Sequence, residues 1–299
     1  GKVVEGSIDY GNYQAGVLTD TEKQPGMALF CCALPLSDVV IESREVTAAN
    51  AIQPRIMPCR VQKMQRLSHD VMLLLLKLPS NERMQFLAGQ YVDFLLKDGK
   101  RRAFSLANAP HRDDLLEVHL RLIPGGQFTE YVFNEMQEKA IMRLEGPFGS
   151  FYLREDNDRP IIFVAGGTGF APIKGIIEHA LHHGIKRQMI LYWGARTLQD
   201  WYMQELPLQW QQEHPNFSYI PVLSEPLPED AWQGRSGLVH QAVLEDHADL
   251  SSYQVYCCGV PQMVDRAHKE FQGHGLPELE FFSDAFTFSN PAPSAVVPQ

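Results

Sequence analysis

The stretch "FVAGGTGFAPIKG", residues 163–175, sets glycines at 166, 167 and 169 between an apolar strand and a helix. Glycines there let the backbone turn tightly and approach a ligand. Thr168 can donate to a phosphate, and Pro172 suits a first helical turn whose free N–H groups attract anions. In "RRAFSLANAP", residues 101–110, Arg102 and Phe104 share one face of a strand and Ser105 takes the other. An arginine can hold a phosphate bidentately, a phenylalanine can lie on a planar ring, and a serine hydroxyl can bond a ring nitrogen. In "PGGQFTEYVF", residues 124–133, Gly126 leads into Gln127, Phe128 and Thr129 at a helix start, a second geometry suited to anions. In "VYCCGVPQMV", residues 255–264, Cys258, Gly259 and Met263 fall where a strand hands over to a helix. That is the ligand-binding edge of a parallel sheet. Finally, "ALFCCALPLSDVVIE", residues 28–42, places Cys31 beside Cys32. Adjacent cysteines are poorly placed to bond to each other. They read either as small buried residues or as the site of a ligand.

The elements that must position these residues fall into zones. Residues 1–46 are short apolar stretches broken by glycine and acidic turns, and residues 47–56, with Pro54, read as a linker. Residues 57–157 are strand-rich, with one helix around "QFTEYVFNEM", which predicts a small antiparallel barrel. Within it, "LLEVHLRLI" alternates, with Leu116, Val118 and Leu120 on one face and Glu117, His119 and Arg121 on the other. Residues 158–287 alternate strand and helix, including a long helix read over "LQDWYMQELPLQWQQE", which predicts a doubly wound parallel sheet. The tail, residues 288–299, reads as disordered from its composition.

The chain has 299 residues, 44% hydrophobic and 21% charged, enough for more than one core. A net charge of -10 argues against nucleic acid or an anionic membrane as the main partner. The longest apolar run, Val71–Leu76, is too short for a membrane span, and no secretory signal stands at the N-terminus. Five cysteines without a disulfide-framework spacing suit a reducing, cytoplasmic setting.

Taken in order, R-x-F-S, G-G-x-T, G-G-T-G-x-x-P and C-G-x-P-x-M resemble the ferredoxin–NADP reductase superfamily over about residues 57–287. Within it, "EGPFGSFYLRED", "FVAGGTGFAPIK", "YWGAR", "GLVHQAVLED" and "FFSDAF" resemble reductases that serve CDP-6-deoxy-sugar dehydratases. The resemblance implies a six-stranded antiparallel flavin-binding barrel followed by a doubly wound nucleotide domain. It implies an FAD strand of Arg102, Ala103, Phe104 and Ser105, with Arg102 on the flavin phosphates and Ser105 near N5. Phe104 would lie against the isoalloxazine where the family commonly has tyrosine. Gly126, Gln127, Phe128 and Thr129 would cradle the pyrophosphate. Gly167, Thr168, Gly169 and Pro172, with Arg196, Gly259 and Met263, would meet NADH or NADPH. Ser105 and Cys258 would be the catalytic residues, and Phe286 or Asp284 would lie near the flavin. Arg196 and Asp200, after the second strand of the nucleotide domain, pull in opposite directions on a 2′-phosphate, and Asp200 favours NADH.

Plant-type ferredoxins hold a [2Fe–2S] cluster with C-x4-C-x2-C and one distant cysteine. Residues 1–46 resemble the later part of such a β-grasp domain, with Cys31 as the fourth ligand. On this reading the chain is N-terminally truncated and carries no cluster as it stands. The implied activity is hydride transfer from NAD(P)H to FAD, then single electrons through the cluster to a partner. That partner is a pyridoxamine-phosphate-dependent sugar dehydratase or an oxygenase component. The alternative is a reductase of free flavin.

Overall fold

The computed structural model describes residues 1–13, 18, 20–30, 32–42 and 52–286. Cys31 and the tail beyond Phe286 lie outside the described residues, as does most of the stretch read as a linker. The chain divides into two units, Gly1–Gln53 and Pro54–Gln299.

The first unit contains strands β1 (Lys2–Glu5), β2 (Ile8–Asp9), β3 (Leu34–Pro35) and β4 (Val40–Glu42) and the single turn α1 (Asp20–Lys23). β1 pairs antiparallel with β4, and β2 with β3. The cysteine pair precedes β3, where Cys32 is half-buried.

The second unit opens on a six-stranded antiparallel sheet: β5 (Arg55–Arg66), β6 (Val71–Lys77), β7 (Tyr91–Leu95), β8 (Arg101–Ser105), β9 (Leu116–Arg121) and β10 (Ile141–Phe148). The strand order is β8-β7-β10-β5-β6-β9. An antiparallel bridge between Leu106 and Val118 joins the two edges. The sheet thus curls into the expected barrel around Val61, Leu74, Phe94, Leu120 and Leu144. β5 begins at Arg55, inside the stretch read as linker, because Pro54 is the last residue before its pairing with β10 starts. The helix α2 (Gln127–Asn134) packs Phe128 and Val132 into the barrel core.

A six-stranded sheet follows, ordered β14-β13-β12-β11-β15-β16 and parallel throughout. Its strands are β11 (Ile161–Gly166), β12 (Met189–Ala195), β13 (Phe217–Leu223), β14 (Arg235–Ser236), β15 (Gln254–Gly259) and β16 (Phe281–Ala285). The helices are α3 (Phe170–His182), α4 (Glu205–Glu213), α5 (Val239–Asp246) and α6 (Pro261–Gly273). Strand alternation builds two cores. Phe163, Trp193, Tyr256 and Cys258 pack with α3 and α4 on one face. Val164, Tyr192, Val255 and Cys257 pack with α5 and α6 on the other. The long helix read over residues 198–213 is instead a short turn at Leu198–Asp200 followed by α4. Pro207 lies in the first turn of α4, where its missing N–H costs no internal bond. The two-residue edge strand β14 has no signal in the sequence long enough to read. Among the described residues no helix is long and apolar enough to cross a membrane.

Candidate active site

A cavity of about 550 Å³ opens between the end of the barrel and the carboxyl edge of the parallel sheet. β8 contributes Arg101, Arg102, Ala103, Phe104 and Ser105 to its wall. The start of α2 contributes Gly126, Phe128 and Thr129, the turn after β11 contributes Thr168, and the end of β16 contributes Asp284 and Phe286. Two segments that the sequence marked separately, about 60 residues apart, therefore face one space.

The neighbouring arginines of β8 differ in what holds them. Arg101 is ion-paired to Glu145 and lies 3.6 Å from Asp93. Arg102 has no carboxylate partner among the described residues; its Nη1 donates to the Arg101 carbonyl at 2.8 Å. Phe104 packs on Phe94 and Phe128 of the barrel core. Ser105 Oγ donates to Asp284 Oδ2 at 3.2 Å. Burial pushes the Asp284 carboxyl above its usual range, only partly offset by the serine.

At α2 the free first-turn N–H groups begin after Gly126, which has no side-chain cap. A side chain on Gly126 would meet Thr129 Oγ1 at 2.8 Å. The Thr129 hydroxyl is taken by its own loop, accepting from Ile123 N at 3.1 Å and donating to the Gly126 carbonyl at 3.1 Å. Phe128 is buried in the barrel core. Only backbone from these two residues can face an anion. Gln127 is exposed, with its amide oxygen 3.5 Å from Lys100 Nζ.

After β11 the turn Gly167–Gly169 leads directly into α3, with Pro172 in its first turn. Gly167 has φ +53°, and a side chain there would meet the Arg121 guanidinium at 2.8 Å. At Gly169 a Cβ would overlap the Cys258 carbonyl. Cys258 itself is fully buried, and burial raises its thiol well above the ordinary value. Met263 fills the space over two glycines, since a Cβ on Gly166 or Gly259 would come within 2.7 Å of it. Phe286 N donates to the Gly259 carbonyl at 2.9 Å, which ties the residue after β16 to this edge. Arg196 stands at the tip of β12 with 63% of its side chain exposed.

Asp200 departs from expectation. Its Oδ2 accepts from Thr197 N at 3.0 Å and from Thr197 Oγ1 at 3.3 Å, closing a capping box. The side chain is 5% exposed, so it is turned into its own loop and away from any ribose in the open edge. Asp200, His69 and Asp70 are the one group of metal-ligating atoms among the described residues. Arg121, 3.2 Å from Asp70, and Arg196, 3.8 Å from Asp200, already balance the two carboxylates.

Two family descriptions match: oxidoreductase FAD-binding domain over residues 58–152 and oxidoreductase NAD-binding domain over residues 163–269. The chain is 39% identical over 284 residues to CDP-6-deoxy-L-threo-D-glycero-4-hexulose-3-dehydrase reductase of Yersinia pestis, covering 95% of this chain and 84% of that one. It belongs to the ferredoxin reductase-type FAD/NAD-binding oxidoreductases. The phenol 2-monooxygenase reductase component DmpP of Pseudomonas sp. CF600 is 36% identical over 291 residues, 95% of this chain and 81% of that one. The crystal structure of the Amycolatopsis cytochrome P450 reductase GcoB superposes with a TM-score of 0.78 at 32% identity, covering 95% of this chain and 86% of that one.

The cavity of this reductase fits an anionic, ring-bearing cofactor. Among the described residues, Arg121 lines it with a buried Nη2 that has no hydrogen-bond partner, and Arg102 has no carboxylate partner. Neither Arg121 nor His119 stood out in the sequence. The only signal was their place on the polar face of β9, which reads as a solvated face until the second domain covers it.

Asp284 carries a stability cost with a definite sign. Its folded pKa is raised, so its stabilisation is present below the unfolded value of 3.8 and is lost as pH rises through the folded value. Asp284→Asn is expected to raise the melting temperature at pH 7–8 and to flatten the fall of stability with rising pH. Thermal denaturation of both proteins from pH 4 to 8 checks it; parallel curves would refute the burial cost.

Proposed function

We propose that this reductase takes hydride from NAD(P)H onto FAD held in the cavity and passes single electrons through a [2Fe–2S] cluster to a partner enzyme. One observation carries the reading: a single cavity is walled jointly by the Ser105 strand and by Thr168 of the glycine-rich turn. Rings held by the two segments would face each other there. FAD, when bound, accepts electrons in pairs and returns them singly.

The chain's own residues have separable tasks. Arg102 and the first-turn N–H groups of α2 hold the phosphates, with Gln127 at the rim. Phe104 and Ala103 bound the ring system, and Ser105 presents a hydroxyl to it. Asp284 accepts the Ser105 proton bond and fixes that hydroxyl. Gly167, Gly169 and Pro172 bring the α3 N-terminus to the nucleotide phosphates, with Arg196 at the adenosine end. Cys258, Gly259 and Met263 floor the nicotinamide side, and Phe286 closes it. Cys31 would ligate the cluster. The partner classes are those served by the relatives: a sugar dehydrase, as for the Yersinia protein, or an oxygenase, as for DmpP. The 39% identity to the former over nearly the whole chain favours the dehydrase.

Purified with FAD, the protein should keep its flavin through dialysis and bleach on anaerobic addition of NADH or NADPH. Bleaching only with excess free flavin, lost on dialysis, would make it a free-flavin reductase. No bleaching with either nucleotide would overturn the proposal. A chain extended upstream should bind iron and sulfide and lose both on Cys31→Ser, if the cluster route holds.

A further inference from the structure

Five ionisable side chains meet in the buried seam between barrel and nucleotide domain. Lys174 Nζ, on α3, lies 3.3 Å from Glu117 Oε2 of β9 and 3.0 Å from Glu178 Oε1, and donates to the Ala107 carbonyl at 3.1 Å. Glu117 Oε1 is 2.7 Å from His119 Nε2, and His119 Nδ1 is 3.1 Å from the Tyr202 hydroxyl. Burial alone would raise the Glu117 carboxyl; the His119 hydrogen bond and the Lys174 charge outweigh it and bring it down to about 2. An ionised carboxylate only accepts, so His119 carries its proton on Nε2. Its Nδ1 then accepts from the Tyr202 O–H. The His119 side chain has no exposed surface.

The chain of contacts continues to the glycine-rich turn. Tyr202 meets Trp193 edge-on at 5.3 Å, Trp193 stacks on Phe170 at 3.9 Å, and Trp193 Nε1 donates to the Gly167 carbonyl at 2.9 Å. From the other side, α3 rests on the backbone that follows Ser105. A side chain at Gly175 would meet the Asn108 carbonyl at 3.1 Å and the Leu106 carbonyl at 3.3 Å.

Buried ion pairs add little net stability over a well-packed apolar seam, so stability is a poor reason for this one. We infer that Lys174, Glu117, His119 and Tyr202 form a positioning latch that holds the glycine-rich turn in register with the Ser105 strand. The inference rests on the reading that hydride passes between groups held by those two segments. His119 lines the cavity wall, but its side chain hydrogen-bonds to Glu117 and Tyr202 and to neither segment; it reaches the turn through Tyr202 and Trp193. Misplacing a donor by a fraction of an ångström is costly for transfer while leaving binding nearly intact.

The test compares His119→Leu with His119→Gln, whose amide can donate to Glu117 and accept from Tyr202. Two readouts are taken: amide hydrogen exchange over residues 166–170 without nucleotide, and single-turnover flavin reduction by NADH. In the leucine variant exchange should quicken and the limiting reduction rate should fall roughly tenfold, with NADH affinity held within about twofold. Glutamine should restore most of both. Unchanged exchange and rate with leucine, or no recovery with glutamine, would overturn the latch. If leucine prevents folding, Tyr202→Phe removes a single hydroxyl and should move both readouts the same way; no movement sinks the idea. Should the unaltered protein not be reduced by either nucleotide, the hydride reading fails, while the exchange contrast still decides the latch.

Discussion

Arg102→Ala is expected to weaken FAD binding by about 1.5–3 kcal/mol, the loss of a charge-assisted contact, or roughly tenfold to a hundredfold in Kd. The reason lies in the contrast with its neighbour. Both arginines line the cavity, but Arg101 spends its charge on Glu145 and Asp93, whereas Arg102 has no carboxylate partner among the described residues. An unpaired guanidinium in a cavity wall is a binding group in waiting. Arg101→Ala, in comparison, should change FAD affinity little and reduce stability only slightly, since exposed ion pairs contribute about 0–1 kcal/mol. Flavin titration of the two apoproteins, followed by fluorescence quenching, checks both. Equal losses would place the phosphate contact elsewhere.

Among the glycines of the candidate site, Gly169→Ala should be the most damaging single-methyl change. Its Cβ would coincide with the Cys258 carbonyl, which is backbone and cannot rotate aside. The turn and the end of β15 must therefore separate. Overpacking of this kind costs about 1–3 kcal/mol of stability. The larger effect falls on chemistry, because a displacement near 1 Å at the donor slows transfer about a hundredfold. FAD should stay bound, since the Arg102 strand and the α2 turn belong to the barrel. Stopped-flow reduction by NADH with the flavin spectrum as control is the measurement. A variant that reduces its flavin at the unaltered rate would show that the turn does not position the donor.

Much of this architecture can be read from local pattern. The change from strand-rich to alternating segments marks both sheets, and the alternation of "YQVYCCGV" already assigns Cys257 and Cys258 to opposite faces. What pattern cannot give is what covers a polar face. Glu117, His119 and Arg121 look solvated on β9, yet α3 and Tyr202 arrive from the second domain to bury His119. Local hydrogen-bond chemistry misleads in another way. Asp200 has the type and distance of a ribose ligand, but Thr197 three residues earlier takes its carboxylate first. Thr129 likewise turns its hydroxyl to Ile123 and Gly126. A short polar side chain near a turn satisfies its own backbone before it serves a ligand.

The division of Cys257 and Cys258 between two cores also decides which atoms can carry charge through this molecule. Side chains on opposite faces of one strand point apart, so the pair cannot close a disulfide and cannot store two electrons as a dithiol would. Burial raises both thiols, and lifts the barrel's Cys59 to about 12, so none is a thiolate at neutral pH. Peroxide or an alkylating reagent finds no cysteine thiolate there at neutral pH, and electrons leaving the cavity must do so without a thiol stepping stone.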